Sequence, residues 1–243
     1  MARVFITGST DGLGRATAES LLGQGHEVVV HARSAGRLAA VQALLDRGAL
    51  GVVGDLSDMG QTRDVADQVN RTGPLDAVVH NAGVLGGAHV FQVNVAAPYL
   101  LTALIHRPGR LIYLSSGMHR GGSADLAGIE RDGAATRVSY SDSKLHVTAL
   151  AMAVARLWPD VFSNAVDPGW VPTKMGGPNA PDDLRLGHLT QEWLAASDDP
   201  EALTSGGYWH HQHRQKAHRA AYDQRLQAGL LDQLANITGE RLA

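Results

Sequence analysis

The chain has 243 residues and a net charge of −3, long enough to bury one large core and without the basic excess that nucleic acid demands. It contains no cysteine, which excludes disulfides, thiolate metal sites and a thiol nucleophile and suits a reducing, intracellular compartment. Met1-Ala2-Arg3 runs straight into Val4-Phe5-Ile6, with no room for a signal peptide's apolar core, and no apolar run reaches membrane-spanning length. The expectation is a soluble cytoplasmic protein with neither nucleic-acid nor membrane partners.

In chain order, short apolar runs at residues 4–6, 28–30, 51–53, 77–79, 111–114 and 162–166 alternate with helical stretches, as βαβ units do. Val28-Val29-Val30 is continuously apolar rather than alternating, the mark of a strand buried on both faces in a parallel sheet. Glycines at 23 and 25, at 48 and at 73 (before Pro74) supply helix stops. The prediction is one α/β domain over residues 1–243, a doubly wound parallel sheet with helices on both faces. After Pro168 the alternation gives way to Gly176-Gly177-Pro178 and Pro181, so residues 170–215 are expected to be an irregular substrate-loop region, with a helical pattern returning over 219–235.

The first strand passes directly into Thr7-Gly8-Ser9-Thr10-Asp11-Gly12-Leu13-Gly14 and then a helix. Glycines there let the backbone approach a pyrophosphate, and the helix N-terminus adds unpaired N–H donors and partial positive charge. The spacing is Gly-x3-Gly-x-Gly, not the Gly-x-Gly-x2-Gly of the general dinucleotide fingerprint, and Thr-Gly-x3-Gly-x-Gly resembles the short-chain dehydrogenase/reductase family, which implies a Rossmann fold. The second strand ends Val30-His31-Ala32-Arg33-Ser34, with no acid from Val28 to Leu45. An acid there would accept from a ribose 2′-hydroxyl; a guanidinium suits a 2′-phosphate. NADP(H) is therefore predicted, with Arg33 discriminating and Ser34 assisting; the plain alternative is an Arg at an exposed strand end. Asp55-Leu56 and Asn81-Ala82-Gly83 follow the third and fourth strands. By themselves they read as a helix cap and a turn; the resemblance makes Asp55 an adenine contact and Asn81, Ala82 and Gly83 the wall beside the adenosine ribose.

Tyr140-Ser141-Asp142-Ser143-Lys144 puts a Tyr and a Lys on one helix face at i and i+4, where an ammonium ion favours the phenolate. The fifth strand ends in Ser115-Ser116-Gly117, Asn94 lies in a helical stretch, and Asp167-Pro168-Gly169-Trp170-Val171-Pro172-Thr173 follows the sixth strand. The order of these motifs from residue 7 to residue 173 is similar to the compact, ordinary branch of that family. What the resemblance implies is an enzyme interconverting a carbonyl and an alcohol with NADP(H): Tyr140 as general acid/base, Lys144 holding the nicotinamide ribose and lowering the Tyr140 pKa, and Ser116 (less so Ser115) bonding the substrate oxygen. It further implies that Asn94 supports a proton path, that Thr173 meets the carboxamide, and that Pro168, Gly169 and Val171 complete the cofactor site. A regulator that binds NADP(H) without turnover is the rival reading, and a scaffold that merely keeps the fold is a third.

Departures from the family pattern are also visible. Only ten residues separate Gly83 from Asn94, and the following helix meets Pro108 early; since helices on this side commonly build the family's subunit interface, a homo-oligomer and a monomer both stay open. Ser116 and Tyr140 lie 24 residues apart, a long gap that opens with Ser-Ser-x-x-His, a pattern locally similar to retinol-dehydrogenase-like members. His210, His211, His213 and His218 lack a Cys or tight carboxylate frame, so no metal is expected and a surface or substrate-loop role is preferred. Pocket shape, and hence substrate identity, rests on residues 117–136 and 174–215.

Overall fold

The computed structural model describes residues 1–129 and 138–242; part of the stretch that sets pocket shape, residues 130–136, lies outside them. All six expected strands form: β1 (Arg3–Ile6), β2 (Glu27–Ala32), β3 (Leu50–Val53), β4 (Ala77–His80), β5 (Arg110–Leu114) and β6 (Phe162–Asp167). Between them run α1 (Gly12–Gly23), the short α2 (Ala35–Leu38) and α3 (Gln42–Leu45), α4 (Met59–Arg71), α5 (Ala97–Leu104) and α6 (Tyr140–Leu157). The chain closes with α7 (Leu184–Ala196), β7 (Tyr208–His210), β8 (His213–Gln215) and α8 (Gln224–Thr238).

The sheet order is β3-β2-β1-β4-β5-β6-β7-β8, parallel throughout except for the final β7/β8 pair. Val4, Ile6, Val28, Val30, Ala77, Val79 and Ile112 face one side of the sheet, where α1 and α7 cover them with Ala18, Leu21, Leu194 and Ala195. Phe5, Val29, Val52, Val78, Leu111 and Tyr113 face the other, under α4, α5 and α6. Burial on both faces is what the unbroken Val runs require. Strand order reverses between β1 and β4, the switch point at which doubly wound sheets open a ligand crevice.

The helix boundaries follow local chemistry. Asp11 caps α1, and Ser139 and Asp142 form a reciprocal capping box, so α6 begins at Tyr140. Every residue of α6 from 143 to 154 is buried, because α8 and the 3-10 turn Arg219–Tyr222 lie on its outer side. As the early Pro108 implied, α5 is short, with eight residues; the five residues before it, Gln92–Ala96, form a π-helical turn that holds Asn94.

Residues 170–215 are more regular than expected, since α7, β7 and β8 all fall there. Three-residue strands show no usable periodicity, and the hairpin turn between them carries His211 and Gln212 at φ 49° and 63° instead of the Asn-Gly that announces such a turn. At the opposite edge of the sheet, the Gln68 amide of α4 clamps β3, accepting from Val53 N at 3.0 Å and donating to Val53 O at 2.8 Å. Among the described residues, no helix is long and apolar enough to cross a membrane.

Candidate active site

A cleft of about 700 Å³ opens at the carboxyl ends of the strands and runs from the glycine turn to α6. Its floor is built by side chains that hold backbone to backbone. Thr7 Oγ1 accepts from Asn81 N and Ala82 N, each at 2.9 Å, locking the β1 exit to the β4 exit. Asn81 Nδ2 donates to the carbonyl oxygens of Thr7 (2.8 Å) and Gly8 (3.2 Å). The space where Gly14 would carry a Cβ is taken, 2.3 Å from Asn81 Nδ2 and 2.7 Å from Gly8 O, so only glycine allows α1 to start so close to the turn. Thr10, Asp11, Gly12, Leu13 and Gly14 line the cleft, which brings the first turn of α1, with its unpaired N–H groups, to the ligand space. Thr7 and Ser9, by contrast, lie beneath the surface: the Ser9 hydroxyl accepts from His31 N at 2.8 Å and donates to Ile6 O at 2.9 Å.

His31 organises this end of the cleft. Its Nδ1 accepts from Gly8 N at 3.0 Å and its Nε2 lies 2.8 Å from Gly54 O. Only the neutral ring protonated at Nε2 satisfies both, and burial holds the pKa below the ordinary histidine value accordingly. Beyond His31, Arg33 lines the cleft together with Arg37 and Lys174. Arg37 Nη2 lies 3.4 Å from Thr10 Oγ1 and 3.5 Å from Asp11 Oδ2, and Lys174 Nζ pairs with Asp11 Oδ2 at 2.5 Å. The Lys174 hydrogen bond holds the Asp11 carboxyl below its usual range. Ser34 caps α2, accepting from Arg37 N at 3.4 Å, and stands outside the cleft lining. Asp55 and Leu56 line the cleft, with Asp55 Oδ1 accepting from Ser57 N at 2.9 Å and Ser57 Oγ at 2.8 Å; these bonds, the backbone one foremost, lower its pKa.

At the other end stand Tyr140 and Lys144, one helical turn apart on α6, both in the cleft wall beside Ala82 and Gly83. Lys144 Nζ donates to Leu114 O at 2.7 Å and sits 5.5 Å from the centre of the Tyr140 ring. Burial pushes the ammonium down to about 8, with Asp167 acting in the opposite direction. At Tyr140 burial raises the phenol above its ordinary value, Ser116 pulls it down and Asp167 adds to the rise.

The two adjacent serines separate clearly. Ser115 is buried, its hydroxyl 2.7 Å from Thr148 Oγ1 and 3.4 Å from Lys144 O. Ser116 Oγ accepts from Met118 N at 3.2 Å, and its interaction with Tyr140 pulls the phenol pKa down. Asn94 is buried beside this end and fully committed: Nδ2 donates to Val84 O and Ser143 Oγ, both at 3.0 Å, and Oδ1 accepts from Val84 N at 2.8 Å. It holds Val84 and, through it, Gly83 in place. Pro168 and Thr173 line the cleft, with Thr173 Cγ2 3.1 Å from where a Gly12 Cβ would lie; Gly169 takes φ +81° and Val171 packs inward against Gly187, and neither lines the cleft.

Arg37, Lys174, His31 and Asp167 escaped the sequence reading. Arg37 lies one helical turn after the Ser34 cap and Lys174 directly after Thr173, so cap and neighbour were the available cues. Asp167 was visible only as part of Asp-Pro-Gly; its charge matters because Tyr208 O–H donates to Oδ2 at 3.0 Å and Gly169 N–H to Oδ1 at 3.1 Å from positions that only the fold brings together.

A model of the short chain dehydrogenase family matches residues 2–183. An uncharacterized oxidoreductase of Emericella nidulans is 39% identical over 254 residues, covering 98% of each chain, and a short-chain dehydrogenase of Penicillium rubens is 39% identical, covering 84% of each. Among solved structures, a blue fluorescent protein from a metagenomic library, in complex with NADPH, superposes with a TM-score of 0.70 at 22% identity over 86% of this chain and 95% of its own; that likeness concerns the fold. With its motifs in order, its doubly wound sheet and a family match over most of its length, the chain belongs to the short-chain dehydrogenase/reductase family of oxidoreductases.

Proposed function

We propose that this chain transfers a hydride between NADP(H) and a small carbonyl or alcohol substrate, with Tyr140 as the general acid/base. The observation that carries the reading is one continuous cleft with Arg33 and Arg37 at the adenosine end and Tyr140 and Lys144 at the other. The nicotinamide, when bound, supplies or accepts the hydride. Arg33 and Arg37 would hold a 2′-phosphate, and no carboxylate stands against it at the carboxyl end of β2. Lys144 has spent one of its three donors on Leu114 O and keeps the others for the ribose hydroxyls. In carbonyl reduction Tyr140 Oη gives its proton to the substrate oxygen while Ser116 donates a hydrogen bond to the same atom, where negative charge develops. A phenol raised by burial stays protonated and so holds the proton this direction requires, while the cation of the oxidised nicotinamide favours the phenolate that alcohol oxidation needs.

The test follows absorbance at the NADPH band against a panel of aldehydes, ketones and alcohols. Tyr140→Phe is expected to lower kcat by about 100-fold or more with NADPH binding retained. Arg33→Ala and Arg37→Ala should each cut the preference for NADPH over NADH by about tenfold, about 1.4 kcal/mol. Full activity in Tyr140→Phe, or binding without turnover of any substrate, would overturn the proposal.

A further inference from the structure

Behind the Ser116 hydroxyl lies a side chain that the proposed reaction does not itself use. His119, one 3-10 turn after Ser116, is fully buried. Its Nδ1 is 2.7 Å from the Ser116 carbonyl oxygen, and its Nε2 accepts the backbone N–H of His218 at 2.9 Å. A carbonyl only accepts and an N–H only donates, so both contacts are met by a single species, the neutral ring protonated at Nδ1. The backbone N–H of His119 donates to the same Ser116 carbonyl at 3.0 Å. One residue therefore occupies both lone pairs of that carbonyl, and the serine is gripped from two directions. The Tyr208 ring lies against the imidazole, centroids 4.6 Å apart. On the far side, His218 heads the turn Arg219–Tyr222 that packs on α6, and its own Nδ1 accepts from Ala220 N at 3.3 Å.

We propose that His119 is a positioning residue for Ser116: it ties the serine to the backbone of the C-terminal segment and so fixes the hydroxyl against Tyr140. The proposal rests on the reading of Ser116 as a donor to the substrate oxygen. The charged and titratable groups around the ring are Arg120 on its own turn, Asp167 from β6, Tyr208 from β7 and His218 from the final turn. Burial is the leading reason that the imidazole stays neutral; Arg120 and His218 act in the same direction, and the Ser116 carbonyl and Asp167 against it.

A double-mutant cycle separates positioning from plain packing. His119→Phe keeps the ring against Tyr208 and removes both side-chain hydrogen bonds; His119→Asn is a smaller, polar second variant in case the first misfolds. Each is expected to lower kcat by about tenfold or more, since a small misplacement of a donor is enough, with the dissociation constant for NADPH unchanged because His119 lies outside the cofactor cleft. In a Ser116→Ala background the same substitutions should cost nothing further. An equal loss in that background, or full kcat in both single variants, overturns the proposal. Ser116→Ala alone separates the two ideas: if it keeps its rate, the reading of the serine falls and this one with it; if it loses its rate while the His119 variants keep theirs, only this proposal falls.

Discussion

A methyl group at position 14 would collide with Asn81 Nδ2 and with the Gly8 carbonyl, the two groups that shape the floor of the cofactor cleft. Gly14→Ala is therefore expected to displace Asn81 and weaken NADPH binding by about tenfold or more, as isothermal titration would show, with far-ultraviolet circular dichroism unchanged. At this scale much of the site was legible. Tyr140 and Lys144 could be paired because an i, i+4 spacing fixes their common face whatever the rest of the chain does, and the glycine turn could be read because its strand and helix flank it directly. Ser116 could be preferred to Ser115 only from its number in the motif; in the structure the Ser115 hydroxyl is engaged by Thr148, while Ser115 and not Ser116 lines the cleft. Arg37 was not legible, because a four-residue helix carries no periodicity that would aim its side chain at Thr10 and Asp11.

The elements were read best where they are long or buried on two faces. The six parallel strands announced themselves by continuous apolar runs, whereas β7 and β8 were missed because three residues are too few to show alternation. The C-terminal helix was foreseen as a helix, but not what it does. Leu226, Leu230 and Leu234 recur every four residues along α8 and are buried in the same core cluster as α6. Leu230 is wholly buried, so Leu230→Ala is expected to destabilise the protein by about 2–5 kcal/mol, a loss to be measured by urea unfolding. Since α8 and the turn that begins after His218 cover α6 together, the same variant should lower kcat at temperatures well below its unfolding midpoint.

At the scale of the whole molecule, stability should depend on pH through two histidines deep in the core. Burial pushes His80 down to about 3 and His146 to about 4, against an ordinary value of 6.5. Below 6.5 the unfolded chain takes up protons that the native state refuses, so the unfolded state binds more protons and stability falls as pH drops from 6.5 toward 4. Each histidine contributes a slope of up to about 1.4 kcal/mol per pH unit. Denaturant midpoints at pH 7.5 and pH 5 would register the loss, and His146→Leu should flatten it; a midpoint that stays constant over that interval would contradict it.

The two ends of the sheet carry a further consequence. An open sheet invites the addition of a foreign strand along any edge that offers free N–H and C=O groups. At one end the Gln68 amide already occupies both backbone groups of Val53, as a neighbouring strand would. At the other, β8 is only three residues long, fully exposed, and carries Arg214 at its centre. Each border thus offers few free backbone groups in a row, so edge-to-edge polymerisation of the folded protein is disfavoured, and clumping on heating should begin from chains that have already lost the sheet.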